Sequence, residues 1–330
     1  MTPLVINHKL YGRFSITEPV LIELIKSPAL QRLKHIGQHG TWVLHNSYKK
    51  SYNFSRYDHS IGVMLLLRRF KASTEEQIYG LLHDVSHTVF SHVADFLFGR
   101  PGQHDYQDSR LEKAFGLQGI NTILKKYGLS PKFILDSDNF PLAENQLPNL
   151  CADRLDYTLS DPWAKIFYST NPKQIFDHLI VYKNVFAFTD QGWAKKFAGL
   201  YEQHNKKNWC NPTQIAIYVL SAQMLQEALN KKIITKPELY TTDEHVLKKL
   251  FQTKNPLIVD KLKTIKNLRV KVVRKKQADF WSTSKPRVVD PYFLKNEKLI
   301  RLSSVDPAYK QRMAIWTKKI KKGFYIKILN

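Results

Sequence analysis

Cysteine is nearly absent: Cys151 and Cys210 are the only two in 330 residues. That is too few for a disulfide framework, and they are too far apart for a zinc-binding CxxC pair. A reducing, cytoplasmic setting is therefore expected. Long apolar runs are missing as well. The aliphatic stretch 63–67 is far short of a bilayer span, and the opening MTPLVINHKLYGRF holds nothing of signal-peptide length, so a soluble, unexported protein with no membrane partner is expected. No period of solenoid length and no low-complexity segment is present. Acidic residues are also scarce, with 28 Asp+Glu against 51 Lys+Arg and a net charge of +23. Such an excess favours nucleic acid, nucleotides or acidic surfaces without choosing among them, and solubility alone is the competing explanation.

With 43% hydrophobic and 24% charged residues, general disorder is excluded and a large buried core is possible. Helical spacing dominates up to about residue 230. Over 17–36 it is broken by Pro28, giving two short helices around a Ser27-Pro28 turn. Further helices are read at 59–70, from Ser73 with an acidic first turn, at 90–98, 108–115, 119–127, 147–161 and 213–230. The stretches 183–188, 267–273 and 323–329 alternate like half-buried strands. The expected fold is mainly α over 1–235, followed by a smaller, basic α+β region over 236–330. That region carries the densest basic tract, 261–276, a candidate nucleic-acid surface.

Chemistry concentrates in LLHDVSHTVFSH, residues 81–92. Read as an apolar helix, this run sets His83 and Asp84 about 100° apart around the axis, able to reach one ion, with His87 on the face of His83. A buried structural cluster is the alternative. His59, in SRYDHSIGV, and Asp153, in DRLDYTLSD, extend the set to two imidazoles and two carboxylates. That mixed set suits Mn, Fe, Ni, Zn or Mg and leaves positions open for water and substrate oxygens.

The order H…HD…D, with LQRLKHIGQHG at 30–40, resembles the HD-domain metal-dependent phosphohydrolases. Within them it is most similar to the branch containing the deoxynucleoside triphosphate triphosphohydrolases. The similarity covers about residues 10–230 and reaches more loosely to KPRVVDP at 285–291. The resemblance implies an HD-domain helical bundle and one divalent metal on His59, His83, Asp84 and Asp153. It also implies a nucleotide substrate and assembly as a homodimer or homotetramer. It assigns a phosphate to Arg154 and the sugar to Gln38, Tyr157 and Asp161; a core aromatic at Tyr157 and a cap before Pro162 at Asp161 are the alternatives. Arg56 is a candidate phosphate clamp, since a guanidinium fork matches phosphate oxygens.

His87 and His104 are the acid-base candidates, and Asp105 is expected to orient His104 and keep it protonated. His92 is expected to be structural, and Gln31 and Arg32 to hold the motif loops together. Family members commonly read HDLGHGPFSH; here Ser86, Thr88 and Val89 replace the Gly, Gly and Pro, which bears on pocket shape. The family's further Arg and Tyr contacts find no match in 205–220, where Lys206 and Lys207 form either phosphate contacts or a solvated turn. The leading activity is hydrolysis of a dNTP to deoxynucleoside and triphosphate. A phosphodiesterase, nucleotidase or nuclease on another nucleotide, and a ligand-sensing regulator with little turnover, are the alternatives.

Overall fold

The computed structural model describes residues 2–162 and 171–329. The N-terminus forms a hairpin of β1 (Leu4–His8) and β2 (Gly12–Ile16), which the sequence reading did not anticipate. Then come α1 (Pro19–Lys26) and α2 (Pro28–Arg32), split at Ser27, whose hydroxyl accepts the Leu30 N–H. The central layer holds α3 (Arg56–Arg69) packed on α4 (Thr74–Leu82). Short helices follow: α5 (Val93–Leu97), α6 (Leu111–Leu117), α7 (Ile120–Lys126), α8 (Pro131–Leu135) and α9 (Ala152–Leu159).

Over residues 61–67 helix α3 is apolar all round, with Val63, Met64, Leu65, Leu66 and Leu67 fully buried, so it is the core helix against which the others pack. Later long helices run over Gln191–His204, Pro212–Asn230, Asp243–Gln252, Pro256–Lys266 and Pro307–Lys322.

Two further sheets use the alternating stretches read from the sequence. Strands β3 (Leu179–Tyr182) and β4 (Val185–Phe188) join β7 (Tyr292–Lys295) and β8 (Lys298–Arg301) in the order β3-β4-β7-β8, with β4 and β7 parallel. In the other sheet β9 (Phe324–Leu329) lies between β5 (Arg269–Val272) and β6 (Phe280–Ser282). The parallel β4-β7 pair joins residues on both sides of position 235. Val246, Leu250, Ile258, Val289 and Phe293 share one core with α1, α3 and α4. In the basic tract Lys271 stands directly opposite Lys327 across the strand pair. No helix among the described residues is long and apolar enough to cross a membrane.

Candidate active site

Ser55 caps α3: its hydroxyl accepts the Asp58 N–H and the Asp58 carboxylate accepts the Ser55 N–H, a reciprocal cap. This starts the helix at Arg56 and sets His59 in its first turn, with no exposed surface. One turn on, Gly62 leaves room for α9: a Cβ there would lie 2.7 Å from Asp156 Cγ. Because that room is open, the buried Asp156 carboxylate reaches His59 Nδ1 at 2.7 Å, while also accepting Tyr11 O–H at 2.8 Å and Ser160 O–H at 2.7 Å. Asp156 thereby fixes the ring so that Nε2 faces Asp153 Oδ1, 3.0 Å away.

Here the expectation for 81–92 is corrected. Helix α4 ends at Leu82, and His83 and Asp84 lie in the turn that follows, so His83 and His87 do not share a continuous helical face. The helical reading failed because Val85 and Val89 keep an apolar rhythm inside turns; the chain then reverses at Phe90 and Ser91, both at positive φ. The turn still delivers the ligand-type atoms. His83 Nδ1 donates to the Gly80 carbonyl at 2.8 Å, so Nε2 presents its lone pair. That atom is buried without a hydrogen bond, 3.5 Å from both Asp84 Oδ1 and Asp153 Oδ1.

One ligand-type atom each of His59, His83 and Asp84 lies within 4.8 Å of the other two. A buried imidazole nitrogen with nothing to bond, beside two carboxylates, is the donor set of a divalent cation. Burial opposes charge on these groups, yet their partners outweigh it. Asp153 and Asp156 push His59 up to about 10, and His59 and His83 hold Asp153 far below the usual carboxylate range.

The turn is tied down by residues remote in sequence. Arg32 donates to the carbonyls of Val85 at 2.9 Å and His87 at 2.8 Å, so the loop-holding reading of Arg32 matches its contacts, while Gln31 bonds Ile25 O within its own helix pair. Asp243, at the start of Asp243–Gln252, accepts the Phe90 N–H at 2.7 Å and the Gly37 N–H at 2.9 Å, linking the loops on either side of the site. Arg56 is 3% exposed and is no surface ion pair: it donates to Asp84 Oδ2 at 2.8 Å and to Ser91 Oγ at 2.9 Å, while its Nη2 is buried without a hydrogen bond.

These residues open onto a cavity of about 750 Å³, within the range of small-molecule sites. Its wall includes Gln38, Arg56, His83, Asp84, His87, His104, Asp153, Arg154, Tyr157 and Asp161, while His59 lies behind it. Arg154 pairs with Glu144 at 3.0 Å, the Tyr157 hydroxyl meets that of Tyr201 at 2.7 Å, and Asp161 lies 3.4 Å from His39 Nε2.

Asp105 is a second correction. Its carboxylate pairs with Arg100 at 2.8 Å on the exposed surface and lines a different cavity, so it does not orient His104. His104 instead accepts from Arg287 Nη2 at Nδ1, 3.2 Å, which leaves its proton on Nε2, 3.4 Å from Ser284 Oγ. Burial, then Arg287 and His92, hold its pKa well below the usual range, so the ring is neutral rather than protonated. Lys206 bonds Glu202, and neither it nor Lys207 is in the cavity wall. Sequence reasoning missed Asp156, Glu144, Lys285 and Arg287; the DRLDYTLSD and KPRVVDP motifs contain three of them.

Helical architecture and a two-His, two-Asp cluster at the wall of a polar cavity are the marks of a metal-dependent hydrolase. The HD domain family model matches residues 56–125. The chain is 38% identical to the uncharacterized protein YdhJ of Bacillus subtilis, over 98% of this chain and 99% of that one. It is 31% identical to the metal-dependent phosphohydrolase cns2 of Cordyceps militaris, over 77% and 74%. A shorter match, 31% identical, joins 39% of the chain to 25% of the bovine deoxynucleoside triphosphate triphosphohydrolase SAMHD1. A phosphohydrolase structure from Bacteroides thetaiotaomicron shares the fold with a TM-score of 0.69 at 16% identity, over 98% of this chain and 99% of that one. The chain belongs to the HD-domain metal-dependent phosphohydrolases.

Proposed function

We propose that this phosphohydrolase acts on deoxynucleoside triphosphates, releasing deoxynucleoside and inorganic triphosphate. The observation that carries the reading is one cavity bordered both by the metal-type cluster and by the residues that the family resemblance assigns to sugar and phosphate, Gln38, Arg154, Tyr157 and Asp161. The partial match to SAMHD1 supports the same substrate class. His59, His83, Asp84 and Asp153 are the proposed ligands. A divalent cation bound there supplies Lewis-acid polarisation of a phosphoryl oxygen and lowers the pKa of water.

The chain's own residues do the rest. Asp156 holds the His59 ring by its Nδ1 proton, and Arg56 fixes the Asp84 carboxylate while presenting Nη2 to an anion. Tyr157 and Trp209, with ring centroids 4.9 Å apart, give the cavity an aromatic wall. His87, with Nε2 3.2 Å from Asp84 Oδ1, is the residue proposed to pass a proton to the departing oxygen. A panel of dNTPs, NTPs, cyclic nucleotides and short oligonucleotides with several divalent metals tests the reading. Intact triphosphate released from dNTPs supports it, and orthophosphate or pyrophosphate as the first product refutes it.

A further inference from the structure

Two cations in the cavity wall come from far along the chain. Lys285 and Arg287 lie on the segment joining β6 to β7, outside the residues matched by the HD family model. The segment is pinned at several points. Ser284 Oγ lies 3.4 Å from Trp209 O, Cys210 Sγ approaches Lys285 O at 3.5 Å, and the Asp290 N–H donates to Pro148 O at 2.9 Å. Val289 O accepts the Tyr309 hydroxyl at 2.6 Å.

Among the described residues neither cation forms an ion pair. Among those residues the Arg287 guanidinium hydrogen-bonds only the neutral His104 ring, and the Lys285 ammonium has no hydrogen-bond partner. The acids in the same wall are held by other groups or disfavoured as anions by burial: Asp84 and Asp153 belong to the metal-type cluster, Asp161 lies beside His39, Glu144 is engaged by Arg154, and burial pushes the Asp108 carboxyl up to about 6. Two half-buried positive groups in one cavity wall, with no carboxylate paired to either, are unfavourable unless an anion completes them. From Asp84 the rings of His87, His92 and His104 lead to Arg287, with successive centroids 5.1 and 4.7 Å apart. Arg287 therefore meets the last ring of this row, three rings on from Asp84, and Lys285 lies two residues before it on the same segment.

We propose that Lys285 and Arg287 form an anion subsite that grips the outer phosphates of a polyphosphate substrate, selecting triphosphates over monophosphates. The inference rests on the phosphohydrolase reading above and deepens it. A guanidinium fork matches adjacent phosphate oxygens and the Lys285 ammonium adds a point charge, so a single phosphate at the metal end leaves both unused.

The test uses the full chain with Mn²⁺ and calorimetric titration of two probes, inorganic triphosphate and orthophosphate. Triphosphate binds the wild type more tightly than orthophosphate. Arg287→Ala and Lys285→Ala each weaken triphosphate by about tenfold or more and change orthophosphate by less than about twofold, while Arg287→Lys retains part of the preference. Lys285 is partly exposed, so Lys285→Ala keeps the test decisive if Arg287→Ala fails to fold by circular dichroism. Equal wild-type affinities for the two probes, or triphosphate binding unchanged in the folded variants, would overturn the subsite. Arg287-dependent triphosphate binding without dNTP hydrolysis leaves the subsite standing and removes the dNTP reading instead.

Discussion

Replacing Gly62 by Ala adds one methyl group and strikes the support of the site without touching any proposed ligand. The new Cβ would sit 2.7 Å from Asp156 Cγ and 2.8 Å from Oδ2, where ordinary contact begins near 3.4 Å. Asp156, whose Oδ1 would come closer still, or the α3-α9 contact must therefore yield by at least about 0.7 Å, the difference between 3.4 and 2.7 Å. The 2.7 Å bond to His59 Nδ1 then exceeds hydrogen-bond range. Overpacking of this kind costs about 1–3 kcal/mol, against which Ala returns about 1 kcal/mol of helix preference. Loss of the carboxylate behind a metal-binding imidazole lowers metal affinity by about 10- to 100-fold.

The assay pairs a denaturant titration of the metal-free chain with a metal titration. Gly116→Ala is the control: its Cβ meets nothing closer than Asn121 Nδ2 at 3.9 Å, so it should leave metal affinity unchanged. Wild-type metal affinity in Gly62→Ala would refute the argument that α9 approaches α3 in order to hold His59.

Asp105→Asn should change kcat/KM by less than about twofold in a steady-state assay, since an exposed pair with Arg100 contributes little; a tenfold loss would return Asp105 to the site. Asp243→Ala strands the N–H groups of Gly37 and Phe90, costing about 1–3 kcal/mol for each in a denaturant titration. His204→Phe should flatten the acid side of the stability profile. Burial pulls the ring down to about 4, so the folded state binds its proton later than the unfolded state, and the stability it contributes above pH 6.5 is lost as pH falls toward 4. Between pH 6.5 and 5 this is about 2 kcal/mol, which the variant should not lose; identical profiles would contradict it.

Local signals carried much of the helical layer. Pro28 after Ser27 marked the break between α1 and α2, and Ser73 with Glu75 and Glu76 marked the start of α4, because caps and prolines act over a single turn. The motif order likewise drew His59, His83, Asp84 and Asp153 together from sequence alone. What stayed hidden depends on distance along the chain. The turn at His83 is held by Arg32 and by the Asp243 contact to Phe90, neither of which leaves a mark within 81–92, so apolar spacing alone suggested a continued helix. Asp105 follows His104 directly, but the chain reverses there, with His104 at positive φ, and the two side chains part. The β1-β2 hairpin lacks an Asn-Gly or Asp-Gly turn, and Lys285 gains its meaning only when its segment folds back across residues 148 and 209.

The most direct test of the central claim is elemental analysis of the purified chain beside its Asp153→Ala variant, with circular dichroism on both. The account predicts about one divalent ion per wild-type chain and essentially none in the variant, with the helical signal unchanged and phosphohydrolysis abolished. Full metal occupancy in a well-folded Asp153→Ala chain would contradict it.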